Sequence, residues 1–501
     1  MKKKFLLIIF FLILFIVIGL ILKNYHGKYI YEIDPSEATF NINNPEQSSQ
    51  TLKVLVIEIN PLLYTITNSS LYPNNNGHPK VSEFFNQSYD EKAALDEVIK
   101  DINESSHNYL NVSIVKKEWL NEFPTYTSLV KLKNGTSAYR FDEETYLKYS
   151  KYDGSQKGNW YNLIETNIFS QVEPYSFDYE YLFDKFNLIN RRNNNEFDQV
   201  WLLSIDPTQT FETNMVGNSP FWVNGDTYEK NCKNFLLFNI SISRRDSNFH
   251  ALGHGIEGIM NQLYGPSTIT SYTTPTGILQ NGVNINTVND YSSLNLWEKF
   301  SLSKYSNIGN YSSVGNVHFP FNAKNAYDYT NTDKVYSNWR EWLNYPNING
   351  IFTLENNKAW ELNAGNDKLD SKQNKDPGRL YMRFWFYLMP HLTGYTEDGY
   401  LNNWWKYLYS LDYIKSINNN ISTTINAYVG EYIPVNYTLI YNSGNSKLQT
   451  FVKQGNNIQI ENTDVLNFRD GYLYARNVGT SRVTIYYDGH SISYYVIVKK
   501  K

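Results

Sequence analysis

Apolar positions follow three successive rhythms along this chain. From Phe5 to Leu22 they are unbroken, 18 residues without a charge, behind Lys2, Lys3 and Lys4. From about residue 51 to 415, short β-branched runs alternate with stretches at helical spacing. From about 416 to the end, apolar and polar residues alternate in short segments divided by turn residues. At ~1.5 Å per residue the first run makes about 27 Å of helix, close to the hydrocarbon core of a bilayer. It ends in GLILKNYHGKY, without the small-residue site at which a secretory signal is cut, and with no cysteine nearby to take a lipid. This predicts an uncleaved signal anchor over 1–24, a single-pass membrane protein with its lysines inside and the bulk of the chain extracellular. A cleaved signal peptide is the rival reading and exports the same residues. Residues 25–50, polar and ending in NINNPEQSSQ, read as a linker.

In the middle region LKVLVIEIN (52–60), LNVSIVKKEWL (110–120), FDQVWLLSIDP (197–207) and NFLLFNISIS (234–243) read as strands. SYDEKAALDEVIKDINESS (88–106) has helical spacing, with Asp90 as a cap. Strands alternating with helices predict an α/β main domain over 51–415 with a mostly parallel sheet. In such sheets, sites gather where strand ends meet helix starts. From about residue 290, NLWEKFSLSKY, SNWREWLNY and GRLYMRFWFYLMPHL predict a helical, aromatic second half that covers the sheet and completes a cleft. Arg379 and His391 flank its last helix and read as packing or helix-end charge.

The final segments, INAYVGEYIPVNYTLIY, DGYLYARNVGTSRVTIYYDG and SISYYVIVKK, carry Val429, Gly430, Glu431, Asp470, Gly471, Ala475, Gly479 and Thr480. In that order they resemble the bacterial immunoglobulin-like domain of group 2. The resemblance implies an all-β immunoglobulin-like sandwich over 416–501, a spacer or adhesive module with no chemistry of its own.

Composition narrows the classes. A single Cys232 among 501 residues excludes an internal disulfide framework, so stability must come from a core. A net charge of −4 with mixed signs excludes the basic footprint of a nucleic-acid binder. Aromatic residues make up 16%, with 43 Tyr and 11 Trp. Exposed, they suit sugar or peptide contact; Asn, Ile, Lys and Tyr are also abundant throughout, which makes a compositional habit the simpler account.

The stretch built for chemistry is NFHALGHGIEGIMNQLYG (248–265). With His250 at 0° on a helix, His254 falls at about 40°, Glu257 at about −20° and Asn261 at about 20°, while Leu252, Ile256, Ile259 and Leu263 lie between about 180° and 240°. One stripe is polar and capable of holding a metal; the opposite one is apolar. Asp246 or Ser247 can cap the helix, and Gly265-Pro266 stops it. Two imidazoles at i and i+4 can share a divalent cation, with the Glu257 carboxylate joining from the next turn. Imidazole and carboxylate suit Zn²⁺ first, then Mn²⁺, Fe²⁺ or Ni²⁺. Gly253, Gly255 and Gly258 each cost the helix ~1 kcal/mol relative to Ala, which predicts close approach of other backbone or of a ligand. HALGH resembles the HExxH signature of zinc metallopeptidases, but Ala251 stands where their general base belongs. A base must therefore come from elsewhere.

Asp206 and Glu212 follow a core strand and are the candidate bases, Glu212 preferred; both could equally be turn and cap residues. His318, in the loop GNVHFPFNAKNAYDY (315–329), is a candidate further ligand or substrate contact. The order VLVIEINP, QVWLLSI, FETNMVG, HALGHGIE, GNVHFP, EWLNYP resembles a group of large exported microbial proteins, over about 52–390; it strengthens these positions without naming a reaction. The leading expectation is a membrane-anchored extracellular metal-dependent hydrolase acting on peptide or glycan. One rival is a non-catalytic surface adhesin or carbohydrate-binding protein; another is a metal-independent glycosidase using Glu212 and a second carboxylate.

Overall fold

A computed structural model describes residues 30–31, 49–85, 91–149, 177–204, 210–217, 223–242, 247–264, 294–304, 311–363, 376–396, 400–409, 414–418, 424–441, 447–451, 458–469, 472–487 and 490–500. The Phe5–Leu22 run, Asp90, Asp206, Asp246, Gly265-Pro266, Asp470 and Gly471 lie outside them. Among the described residues, no helix is long and apolar enough to cross a membrane.

Six strands form the central sheet: β1 (Gln50–Ile59), β2 (Leu110–Leu120), β3 (Gln199–Ser204), β4 (Thr213–Gly217), β5 (Thr227–Glu229) and β6 (Phe235–Ser241). Their spatial order is β2-β1-β3-β6-β4-β5. β1, β2, β3 and β6 are mutually parallel, and β4 and β5 run against them. Strands of a parallel sheet covered on both faces read as continuous apolar runs, and β1 does: Val54, Leu55, Val56, Ile57 and Ile59 are all fully buried. In register, Ile59 pairs with Ser204 and Ser204 with Ser241, so three strands end on one line. The antiparallel β4 starts beside that line, with Thr213 opposite Phe238. Glu212 therefore stands at the carboxyl edge of the sheet.

Helix α1 (Glu91–Ser105) turns Ala94, Leu95, Val98 and Ile102 inward. Helix α2 (Asn248–Tyr264) follows β6, and α3 (Leu296–Ser301) and α4 (Pro377–Tyr387) pack nearby. α4 is tied to α1 by a buried two-pronged pair, Arg379 Nε and Nη2 to the two Asp101 oxygens at 2.9 Å each, and by Arg383 on Glu104. Arg379 thus joins two helices, a packing role rather than a helix-end charge. The region from 294 to 409 is less helical than its pattern predicts. SNWREWLNY makes only a short 3₁₀ turn (Trp339–Asn344), and the strands Val335–Ser337 and Phe352–Glu355 pair on either side of it. Asn338, Asn344 and Pro346 punctuate that stretch and outweigh its helical spacing. Seven tryptophans are core: Trp201, Trp297, Trp339, Trp360, Trp385, Trp404 and Trp405 are fully buried, several edge to face, as Trp297 against Trp385, whereas Trp119 is 39% exposed.

Beyond residue 414 the described elements are all strands. Gly479–Tyr487 and His490–Lys499 form an antiparallel hairpin, and Thr424–Tyr428 pairs parallel with the latter. Gly430 turns the chain at φ +92°, a conformation that favours glycine.

Candidate metal centre

Helix α2 hangs from the end of β6 by one side chain. Asn248 accepts the Ser241 amide on Oδ1 (2.8 Å) and donates from Nδ2 to the Ser241 carbonyl (3.0 Å). This fixes the first turn, and with it His250, against the carboxyl edge of the sheet. Leu252, Ile256 and Ile259 are buried on the apolar side as the stripe predicts.

The three glycines of the helix are points of close approach. A Cβ on Gly253 would come within 2.6 Å of Met382 on α4 and 2.9 Å of Val317; one on Gly255 would meet Thr213 at 3.1 Å. At Gly258 the obstacle is main chain, Val223 Cα at 2.7 Å and the Asn224 nitrogen at 3.1 Å. The bare helix surface there admits the Val223–Asn224 segment. Asn224 in turn accepts from Thr213 Oγ1 and donates from Nδ2 to Glu212 Oε2 (2.5 Å). The glycines thus hold the candidate base against the histidine helix.

His318 arrives from a buried loop. Gly315 sits at φ +96°, where a Cβ would strike the Phe319 carbonyl at 2.5 Å. The Asn316 side chain accepts the His318 and Phe319 amides. From α4, Tyr381 donates to the carbonyls of Val314 and Asn316, and Trp385 to that of Gly315. Loop carbonyls that would otherwise be orphaned in the core are satisfied by this aromatic helix.

These elements bring three imidazoles together. One nitrogen each from His250, His254 and His318 lies within 4.8 Å of the others, close enough to bind a metal ion. His254 Nε2 and His318 Nε2 are 3.0 Å apart. Glu257 stands behind His254 and not beside the three nitrogens: its Oε2 is 3.1 Å from His254 Nδ1, and its Oε1 accepts the Val317 amide at 2.9 Å. Glu257, expected as third ligand, bonds to His254 and the Val317 amide, and His318 supplies the third clustered nitrogen. The reason is reach. Glu257 is about 10 Å along the axis from His250 but one turn from His254, so the i,i+3 contact wins. A carboxylate on Nδ1 fixes the proton there and turns the Nε2 lone pair toward the cluster.

Electrostatics favour neutral, lone-pair-bearing rings at His250 and His318. Burial, with His254 and His318 beside it, pushes His250 down to about 2; burial, with His254 beside it, pushes His318 down to about 4. Burial also opposes charge on His254, but its bond to Glu257 outweighs that and raises its pKa. Without a cation, one of the facing Nε2 atoms must carry a proton. A cation would let both present lone pairs.

His250 also opens onto a cleft of about 490 Å³ lined by Glu212, Ser247, Tyr327, Tyr329, Asp376 and neighbours. Of the sequence candidates, His250, His254 and His318 converge, Glu212 shares the cleft, Glu257 braces, and Asp206 lies outside the described residues. Asn224, Asn248, Asn316, Tyr327 and Tyr329 were not singled out from the sequence. Asparagine and tyrosine are too common in this chain for any one to stand out. No family model matches the chain, and no curated protein matches it.

Proposed function

We propose that this is a metal-dependent hydrolase in which His250, His254 and His318 hold a divalent cation, Zn²⁺ by preference. The observation that carries the reading is the convergence of three imidazole nitrogens at the edge of a cleft that also contains Glu212. Three protein ligands leave one position open for water or substrate, the arrangement of catalytic rather than structural zinc. A cation held by these three histidines would supply Lewis-acid chemistry, polarising a carbonyl and acidifying a bound water. Glu212, held by Asn224, takes the proton that the HExxH glutamate would take, and so answers Ala251. The chemistry fits an amide or ester carbonyl, on a peptide or an acylated glycan. Phe5–Leu22 anchors the chain in the membrane with this cleft outside the cell, and the C-terminal strands serve as an immunoglobulin-like spacer.

Metal analysis of the purified full-length protein tests this. About one equivalent of zinc, lost in His254→Ala, is the expected result; metal-free protein that still binds glycan would support an adhesin instead. A metal-independent glycosidase is the second reading, favoured by Glu212 and Asp376 lining one cleft. Hydrolysis that survives a chelator but not Glu212→Gln would establish it.

A further inference from the structure

Tyr327 is built unlike a packing residue. Its backbone lies in the left-handed region at φ +62°, which costs a non-glycine residue of order 1 kcal/mol. The residue is 54% exposed, so burial returns little. Yet its hydroxyl lies 2.8 Å from His318 Nε2, the nitrogen that faces His254 Nε2, and its ring centre lies 5.6 Å from that of His250. The Tyr327 amide donates to the His318 carbonyl at 2.7 Å, which ties the tyrosine to the ligand's own loop. Tyr329 provides the contrast. It is partly buried, and its hydroxyl donates to the Val317 carbonyl at 3.1 Å while lying 3.4 Å from His250 Nδ1. The Tyr329 proton goes to the main chain of the loop; the Tyr327 phenol has the Nε2 atom of a ligand histidine as its hydrogen-bond partner.

We infer that Tyr327 is a further functional residue of this centre, whose phenol donates a hydrogen bond to the oxygen ligand entering the open coordination position. The inference rests on the metal reading above. A nitrogen lone pair serves one partner, so His318 Nε2 cannot accept from Tyr327 and bind a cation at once. With the cation in place the phenol loses its acceptor while its main chain stays fixed to His318. An oxygen in the fourth position would then offer the phenol an acceptor within the same cleft. Glu212 lines the same cleft, so a bound carbonyl would meet a donor in Tyr327 and a base in Glu212.

The test needs no natural substrate. Full-length protein in detergent is loaded with Co²⁺ and titrated with acetohydroxamate, an oxygen-donor probe, following the visible Co²⁺ spectrum. Wild type and Tyr327→Phe should each take up one equivalent of Co²⁺, and the variant should bind acetohydroxamate about tenfold more weakly. Tyr432→Phe, at an exposed tyrosine of the C-terminal strands, should stay within about twofold of wild type. Equal acetohydroxamate affinity in wild type and Tyr327→Phe would overturn the role, as would loss of Co²⁺ uptake in that variant, which would mark a structural residue. Should the phenylalanine variant be unstable, Tyr327→Asn suits the left-handed backbone and should show the same loss. Wild-type protein that takes up no Co²⁺ would overturn the metal reading and this inference together; Co²⁺ uptake with unchanged probe affinity overturns the inference alone.

Discussion

Two polar clusters, each with a buried heart, sit at the carboxyl edge of the same sheet, and they are put together on opposite principles. At the end of β1, Glu58 meets Lys80 at 2.5 Å and Lys117 at 2.8 Å, and Lys80 reaches Glu91 at 3.3 Å. Asn60 donates to Ser82 and Glu91 at 2.7 Å each. Two acids face two lysines, and the group is complete in itself. Past the end of β6, three imidazoles turn their nitrogens toward one another with no acid among them, and the nearest carboxylate stands behind. Complementary groups in a core need nothing more. Like groups held together there are at odds with folding, and such sites are where function concentrates.

Breaking the second cluster should have the largest effect. His254→Ala is expected to lose the bound metal and at least a thousandfold in any hydrolysis, measured by metal content and turnover, while the apoprotein melts close to wild type. Breaking the first should do the reverse. Lys80→Ala leaves Glu58 with Lys117 and the Asn60 amide as partners and should cost roughly 2–3 kcal/mol in urea unfolding, less than the ~3–5 typical of an orphaned buried charge, with metal binding intact. Equal melting losses in the two variants would erase the distinction.

A subtler change sharpens the contrast. Glu257→Gln keeps the shape but weakens the acceptor on His254 Nδ1, and should lower zinc affinity about 10–100-fold without abolishing it. Abolished binding would instead make Glu257 a ligand.

The smallest effect belongs to a third arrangement. His107 stacks on His391 at 3.8 Å, 18° from parallel, and its Nε2 donates to the Tyr387 carbonyl. Burial, with His391 beside it, pushes His107 down to about 3 from an ordinary value of 6.5. The folded state keeps this ring neutral while the unfolded chain protonates near 6.5. The stabilisation is therefore present above pH 6.5 and lost as pH falls toward 3, with a slope of up to ~1.4 kcal/mol per pH unit. His107→Gln should flatten the pH dependence of stability in that window; an unchanged slope would assign it to other groups. His391, read as packing or helix-end charge, packs here as expected.

Much of this was legible in the sequence because it depends on local periodicity. The β-branched runs of β1, β3 and β6 announced buried strands, and the two stripes of α2 separated its histidines from its apolar face. The glycines of that helix pointed to close approach of other backbone or of a ligand; backbone approaches at Gly258, while Gly253 and Gly255 meet side chains. Glu212 and His318 could be proposed because each follows a recognisable strand end or loop. The role of Glu257 was not legible: angular position on a helix ignores axial rise, and the carboxylate found a nearer partner. Asn224 was hidden because its two partners, Glu212 and the bare surface of Gly258, meet only through tertiary packing. The second half looked more helical than it is because aromatic spacing was weighed above its asparagines.

Gly258 has one consequence beyond admitting a neighbour. Backbone there rests on backbone, so the spacing between the histidine helix and the segment bracing Glu212 is set by the main chain and not by a choice of rotamers. The tolerance between acid and imidazoles is that of a rigid joint, and whatever enters the cleft must adapt to it.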